Sequence, residues 1–258
     1  MTVRVAAVGD IHLGPDSQGT LRPWFDTLAE CADLLLLAGD LTRHGTPEEA
    51  RVVAGELAGA TVPIVAVLGN HDYHAEQPDE VTMILEEVGV RVLESAATVV
   101  EVAGCRVGVA GTKGFGGGFA GHALDVFGEP EIKAFARRSH ACAQGLEDAL
   151  QQLDAEGCGL RIALTHYSPV CDTLVGESPE IFPFLGSYLL ARAIDRSGAD
   201  LAVHGHAHSG SERGMTSGGV RVRNVAQPLL GRAFALYHLQ AGEGELDREP
   251  VIGSRSGR

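Results

Sequence analysis

Seven residues of metal-binding type stand at or just beyond the ends of apolar runs in this chain. They are Asp10 with His12, Asp40, Asn70, His166, and His206 with His208. Imidazole nitrogen with carboxylate and amide oxygen suits Mn, Fe, Zn, Co or Ni. The absence of thiolates argues against a closed structural zinc site. In Asp10-x-His12 and in His206-x-His208, residues i and i+2 lie just past a strand-like run and can point the same way. Two such pairs, one carboxylate between them, and Asn70 plus His166 are too many ligands for one open catalytic ion. The number suits two ions sharing one bridging group, so the expected cofactor is a pair of divalent or trivalent metal ions. Crowding these carboxylates and imidazoles without a counterion would destabilise the fold, since a poorly compensated buried charge costs several kcal/mol. A bound cation reverses that sign.

The seven residues run from position 10 to position 208, so the fold must gather them. Residues 3–8, 34–38 and 63–68 are β-rich apolar runs that end in Gly9-Asp10, Gly39-Asp40 and Gly69-Asn70. Between and after them, residues 21–32, 47–57 and 79–88 have helical spacing. Pro47 opens the second of these, with two Glu in its first turn as the helix dipole prefers. Such alternation implies βαβ units and a largely parallel sheet. In open α/β sheets, ligands bind beyond the carboxyl ends of the strands. Further strands are expected at 90–93, 98–102, 106–110, 160–165, 201–203, 220–225 and 233–239. Helices are expected from about 130 to 156 and near 184–197. The strand at 160–165 ends at His166, and that at 201–203 runs into His204-Gly205-His206-Ala207-His208. Residues 112–119 form a glycine-rich loop, either a mobile lid or rim over the metals or a permissive connector. No internal repeat or interdomain linker is visible. A single domain over residues 1–240 and a loose tail over 241–258 are expected.

The ordered blocks Asp10-Ile11-His12, Gly39-Asp40, Gly69-Asn70-His71-Asp72, His166 and Gly205-His206-Ala207-His208 resemble the calcineurin-like metallophosphoesterase superfamily. All five occur in the family's order, with no departure at a ligand position. The resemblance implies an α/β fold, a four-layer αββα sandwich of two mixed sheets flanked by helices. It implies one metal on Asp10, His12, Asp40 and His208, and a second on Asp40, Asn70, His166 and His206, with Asp40 bridging. His71 would lie beside the scissile phosphate, held by Asp72 or its backbone neighbours, and the pair His71 and Asp72 would be the catalytic residues. The implied reaction is hydrolysis of small phosphodiesters or phosphomonoesters by direct attack of a metal-bridging hydroxide. His71 would protonate the leaving oxygen or stabilise charge on the phosphoryl group. The stretch from Gly39 to Glu49 is similar to the cyclic-nucleotide-phosphodiesterase-like branch, not to the Asp-Arg-Gly form of serine/threonine protein phosphatases. The competing reading is a non-catalytic metal-binding scaffold on the same fold, and the retention of His71 with all seven ligands counts against it.

Three cationic side chains are candidates for the substrate phosphate: Arg43 and His44 after Asp40, and Lys113 in the glycine-rich loop. Each is set against a plainer role as a solvated loop residue or connector. His74 and Tyr167 could line the pocket or serve as surface and core residues respectively. His204 reads as a buried core or supporting histidine, and His122 and His140 as surface residues.

The chain has 258 residues, of which 45% are hydrophobic and 21% charged, a globular composition. Its net charge of −14 repels phosphate backbones and anionic membranes, so no nucleic-acid groove and no membrane partner are expected. Five cysteines without paired spacing argue against a disulfide framework. A reducing, cytoplasmic compartment is expected, with no signal peptide and no run long enough to span a bilayer.

Overall fold

Strands β1 (Thr2–Val8), β2 (Leu34–Ala38), β3 (Ile64–Val67), β4 (Val90–Val92), β13 (Ala235–Gln240) and β14 (Gly244–Glu245) form one sheet in the order β14-β13-β1-β2-β3-β4. In this computed structural model, which describes residues 2–242 and the backbone of 244–245, β1 to β4 are parallel and β13 runs antiparallel to β1. A second sheet contains β5 (Ala96–Val102), β6 (Cys105–Thr112), β9 (Leu160–Thr165), β10 (Leu201–His204), β11 (Arg213–Met215) and β12 (Arg221–Asn224). Its order is β11-β12-β10-β9-β6-β5, with β6, β9, β10 and β12 parallel. A small hairpin pairs β7 (Gly118–Phe119) with β8 (His122–Ala123).

The helices are α1 (Arg22–Phe25), α2 (Pro47–Leu57), α3 (Pro78–Glu87), α4 (Pro130–Ala155), α5 (Phe182–Leu185), α6 (Tyr188–Ser197) and α7 (Gln227–Leu230). The run at β2 is apolar throughout because both its faces are covered. Leu35 and Leu37 pack with Phe25, Val53, Leu57 and Leu85 of the helices on the outer side. Leu34 and Leu36 face the other sheet, meeting Val107, Val109, Ile162 and Leu164. On the far side, Ala110, Ala163 and Ala202 pack under Leu146, Leu150 and Leu153 of α4 and Leu190 and Ile194 of α6. Helix, sheet, sheet and helix thus form four layers, as expected. Helix α2 starts where the sequence indicates: the Thr46 hydroxyl accepts from the Glu49 amide at 3.3 Å, and Pro47 takes the first turn.

Two expectations are corrected. Residues 21–32 are not one helix but the four-residue α1 and a separate 3-10 turn at Leu28–Glu30. The carboxylate of Glu56, 3% exposed, accepts from the Gly19, Leu21 and Arg22 amides and so dictates where this segment starts. Helical spacing at 184–197 is interrupted at Gly186, whose extended backbone lies against Ser168: Ser168 N donates to Leu185 O and Ser187 N to Ser168 O, both at 3.0 Å. Of the two readings of the glycine-rich segment, its packing favours the connector. Gly117 N donates to Pro183 O at 2.7 Å, Gly118 N to Gly186 O at 2.9 Å, and Lys113 and Phe119 are buried. Of the expected C-terminal tail, residues 244–245 pair with β13, and 243 and 246–258 lie outside the described residues.

Among the described residues, no helix is long and apolar enough to cross a membrane. The five cysteines are unpaired.

Candidate metal centre

The carboxyl ends of β1, β2 and β3 in one sheet and of β9 and β10 in the other meet at one edge of the sandwich. The junction is stitched by backbone bonds: Asp10 N to Gly39 O at 2.9 Å, His12 N to Asp40 O at 3.1 Å, Gly9 N to Val225 O at 2.9 Å and Gly205 N to His166 O at 3.2 Å. All seven expected ligand residues stand here. Asp10, Asp40 and His166 are at most 2% exposed.

Three clusters place one ligand atom per residue within 4.8 Å of one another: Asp10, His12 and His208; His12, Asp40 and His71; and Asp40, His166 and His206. Asp40 joins the last two. Its Oδ2 lies 3.9 Å from His12 Nε2, while its Oδ1 lies 3.4 Å from His166 Nε2. His208 Nε2 is 2.9 Å from Asp10 Oδ1 and 3.5 Å from His12 Nε2. Asn70 Oδ1 is 2.9 Å from His166 Nε2. His166 Nδ1 donates to the Ala38 carbonyl oxygen at 2.9 Å, which leaves Nε2 as the lone-pair atom facing Asp40 and Asn70.

The backbone is strained at the same residues. Seven non-glycine residues among those described have positive φ, and four are ligand candidates: Asp10 (56°), His12 (42°), Asp40 (51°) and His206 (71°). Asp and His enter this region more readily than most residues, yet each instance costs about 1–3 kcal/mol and persists only where the surroundings impose it. Gly39 serves the same crowding. Its φ is 81°, and a Cβ there would lie 2.7 Å from His166 Nδ1.

Electrostatics agree with a cation site. Burial, with the charge of Asp40 adding, pushes the Asp10 carboxyl up to about 6 against its hydrogen bond from His208. Burial lowers His12 to about 4 and His206 to about 3, and takes His166 well below the ordinary imidazole range. His208 is raised, chiefly by its hydrogen bond to Asp10. Neutral imidazoles around buried carboxylates form a donor set that is poor without a counterion and well matched to a divalent cation. The residues present therefore fit the metal ions that the sequence implies.

His71 borders this centre. Its Nδ1 lies 2.8 Å from the Arg43 carbonyl oxygen, its Nε2 4.0 Å from Asp40 Oδ2, and its backbone N donates to Asp40 Oδ1 at 2.8 Å. Asp72 is placed otherwise than expected. Its fully buried carboxylate does not hold the His71 ring. Instead it accepts from the amides of Gly69 (2.8 Å), Leu41 (3.2 Å) and Thr42 (2.8 Å) and from the Thr42 hydroxyl (2.6 Å). It clasps the loops after β2 and β3 together and is a positioning residue. Burial and then the charge of Asp40 push it up to about 6 in spite of these donors.

The candidate substrate cations differ in their engagement. Arg43 is held by Asp16 at 2.7 Å, and His44 Nδ1 is 3.0 Å from Glu49 Oε1. Lys113 is buried among aromatic rings. His74 stacks on His44 with centroids 6.4 Å apart. The Tyr167 ring lies 4.5 Å from that of His206. His204 is fully buried, bonded to the Thr173 hydroxyl at 2.8 Å, and lowered to about 4 by burial. His122 is exposed at the β7–β8 hairpin and His140 on α4. Sequence reasoning missed the carbonyls of Ala38, Arg43 and Phe184, the last 3.3 Å from His206 Nε2. Carbonyls carry no sequence signal. It also missed Tyr73, whose place directly after Asn70-His71-Asp72 was a usable sign.

A family model described as calcineurin-like phosphoesterase matches residues 3–210. A curated relative from Synechococcus sp., described as a "Probable cyclic nucleotide phosphodiesterase", is 26% identical over 278 residues, covering 99% of this chain and 91% of its own length. Among solved structures, the phosphopantetheinyl hydrolase of Mycobacterium tuberculosis superposes with a TM-score of 0.63 at 18% identity, covering 86% of this chain and 88% of that one. A 5′-nucleotidase precursor from Thermus thermophilus gives 0.59 at 17% identity, covering 97% of this chain and 54% of that one. These likenesses match the fold described above, and the family match spans every ligand position. The chain belongs to the calcineurin-like phosphoesterase family, metal-dependent hydrolases of phosphate esters.

Proposed function

We propose that this protein hydrolyses small phosphodiesters or phosphomonoesters with two metal ions, in one displacement by water and without a covalent phosphoenzyme. The observation that carries the reading is the split of Asp40, one carboxylate oxygen toward His12 and the other toward His166. A carboxylate placed between two ligand sets suits a bridge. Asp10, His12, Asp40 and His208 would hold one ion, and Asp40, Asn70, His166 and His206 the other. When bound, such a pair neutralises phosphoryl oxygens and makes water acidic enough to furnish hydroxide near neutral pH.

The chain's own groups do the rest. The Arg43 carbonyl accepts from His71 Nδ1 and leaves Nε2 facing the centre; with a second proton on Nε2, the ring serves either as general acid to the leaving oxygen or as a donor to the phosphoryl group. Asp72 keeps the Asp40 and His71 loops in register. The Ala38 carbonyl holds His166 in the tautomer a ligand needs. The name of the Synechococcus relative supports a diester substrate.

The test is turnover of bis- and mono-nitrophenyl phosphate by purified protein supplied with Mn, Fe, Zn, Co or Ni. Activity on at least one ester with two equivalents of bound metal is the expected result. No turnover with any metal overturns the proposal.

A further inference from the structure

Lys113 is not used by the centre as described, and its surroundings are unusual for a lysine. The side chain is 6% exposed. Among the described residues no carboxylate comes within ion-pair distance of its ammonium, and no hydrogen bond engages it. Its Nζ sits over three aromatic rings instead, 4.9 Å from the centroid of Tyr73, 5.0 Å from Phe115 and 5.3 Å from Tyr167. Ring faces attract an ammonium but leave its N–H donors empty. A largely buried cation whose donors find no protein partner gains by meeting an anion. Burial accordingly lowers the Lys113 pKa, with Glu94 and Asp40 acting the other way.

The nearby acid is committed elsewhere. Glu94 Oε1 accepts from the Thr112 hydroxyl and Oε2 from the Lys113 amide, both at 3.1 Å. Glu94 therefore positions the backbone of this lysine without neutralising its head. The cage is also tied to the ligand blocks. Tyr73 follows His71 by two residues, and Tyr167 follows His166 directly. The Tyr167 ring lies 5.5 Å from the His166 ring and 4.5 Å from the His206 ring. The Lys113 carbonyl accepts from both His166 N and Tyr167 N at 3.1 Å. Of the three cations considered for the substrate, Arg43 and His44 already face carboxylates.

We propose that Lys113 is a substrate-binding residue whose caged ammonium donates to a non-bridging oxygen of the phosphate at the His166–His206 side of the centre. The proposal rests on the phosphoesterase reading of the same site. The three rings fix the ammonium, and the anion fills the donors that the fold leaves to solvent. A donor fixed in place before the ester binds needs no reorganisation when it meets the phosphate charge. The cage also accounts for the closely packed glycine-rich segment: a loop that moved would not keep the lysine aimed.

The test uses Lys113→Met and Lys113→Gln in the full chain loaded with metal, with inorganic phosphate as the probe. Phosphate affinity is measured by calorimetry, metal content by elemental analysis, and Tm on the metal-free protein. Both variants are expected to keep their metal and to lose about 10²-fold in phosphate affinity and in kcat/KM. Methionine suits an aromatic cage and carries no charge to desolvate, so the Tm of Lys113→Met is expected to equal or exceed that of the parent. A structural lysine would show the reverse, a lower Tm with phosphate affinity retained. Phosphate affinity within about threefold of the parent in either folded variant overturns the proposal. Should the methionine variant fail to fold, the glutamine variant decides. A parent protein that binds phosphate yet hydrolyses no ester would overturn the phosphoesterase reading alone. An active parent whose variants bind phosphate normally would overturn the role of Lys113 alone.

Discussion

His71 Nδ1 lies 2.8 Å from the carbonyl oxygen of Arg43. A carbonyl can only accept, so Nδ1 carries a hydrogen, and Nε2 is the atom presented to the centre, 4.0 Å from Asp40 Oδ2. Replacing His71 by Ala is expected to lower kcat by about 10²–10⁴. Metal content should be unchanged, because His71 lies outside both proposed ligand sets. Full turnover at full metal content in this variant would remove His71 from the mechanism.

Asp40 turns one carboxylate oxygen toward His12 and the other toward His166, so in the proposed assignment it joins both ligand sets while His12 belongs to one. Asp40→Ala should therefore lose both ions, while His12→Ala should retain about one equivalent by elemental analysis after gel filtration. Equal metal loss in the two variants would contradict the bridge.

Metal retention should depend on pH in a definite direction. Asp10, pushed up to about 6 by burial, and His208, raised by its bond to Asp10, must both release protons to act as ligands. Affinity is expected to rise with pH through 6 and above. Dialysis at pH 5 should strip the ions, and added metal at pH 7.5 should restore activity. Retention of metal at pH 5 would count against Asp10 and His208 as ligands.

The metal-free protein should lose stability as pH falls from 6.5 toward 4. The imidazoles of His12, His166, His204 and His206 have folded pKa values depressed below 6.5, so the unfolded chain binds more protons in this window. Asp10 and Asp72, raised to about 6, act oppositely, because the folded chain protonates them first. His208, raised by its bond to Asp10, acts with these two, so four imidazoles oppose three groups, and the urea midpoint is expected to fall on acidification. A flat or rising midpoint would contradict the buried, neutral imidazoles.

Asp72 should matter more to stability than to chemistry. Asp72→Ala leaves the amides of Gly69, Leu41 and Thr42 without their acceptor, a loss of about 3 kcal/mol or more. For a chain of this size that corresponds to a Tm lower by roughly 6–12 °C. A variant with the parent's Tm would show that these bonds are dispensable.

The ligand residues and their strand ends are legible in the sequence because β1, β2, β3, β9 and β10 are covered on both faces. They therefore read as apolar runs with a polar residue at the exit. Helices α2, α3 and α4 are legible from Pro at the start and apolar periodicity. Residues 21–32 and 184–197 mislead because periodicity reports which face is buried and not whether the turns are continuous. Contacts from distant residues, Glu56 in one case and Ser168 in the other, shape those segments.

The donor set, its order along the chain and the strands that carry it follow from residue type and hydrophobic period, which are local properties. The four-layer sandwich follows from the family resemblance that those ordered blocks carry. Three features are visible only in the assembled fold: which oxygen of Asp40 faces which ligand set, the clasp of Asp72 on amides instead of the His71 ring, and the caging of Lys113 within a closely packed segment. Each depends on atoms brought together from separate strands. Several are backbone carbonyls and amides, which every residue carries and no sequence pattern marks.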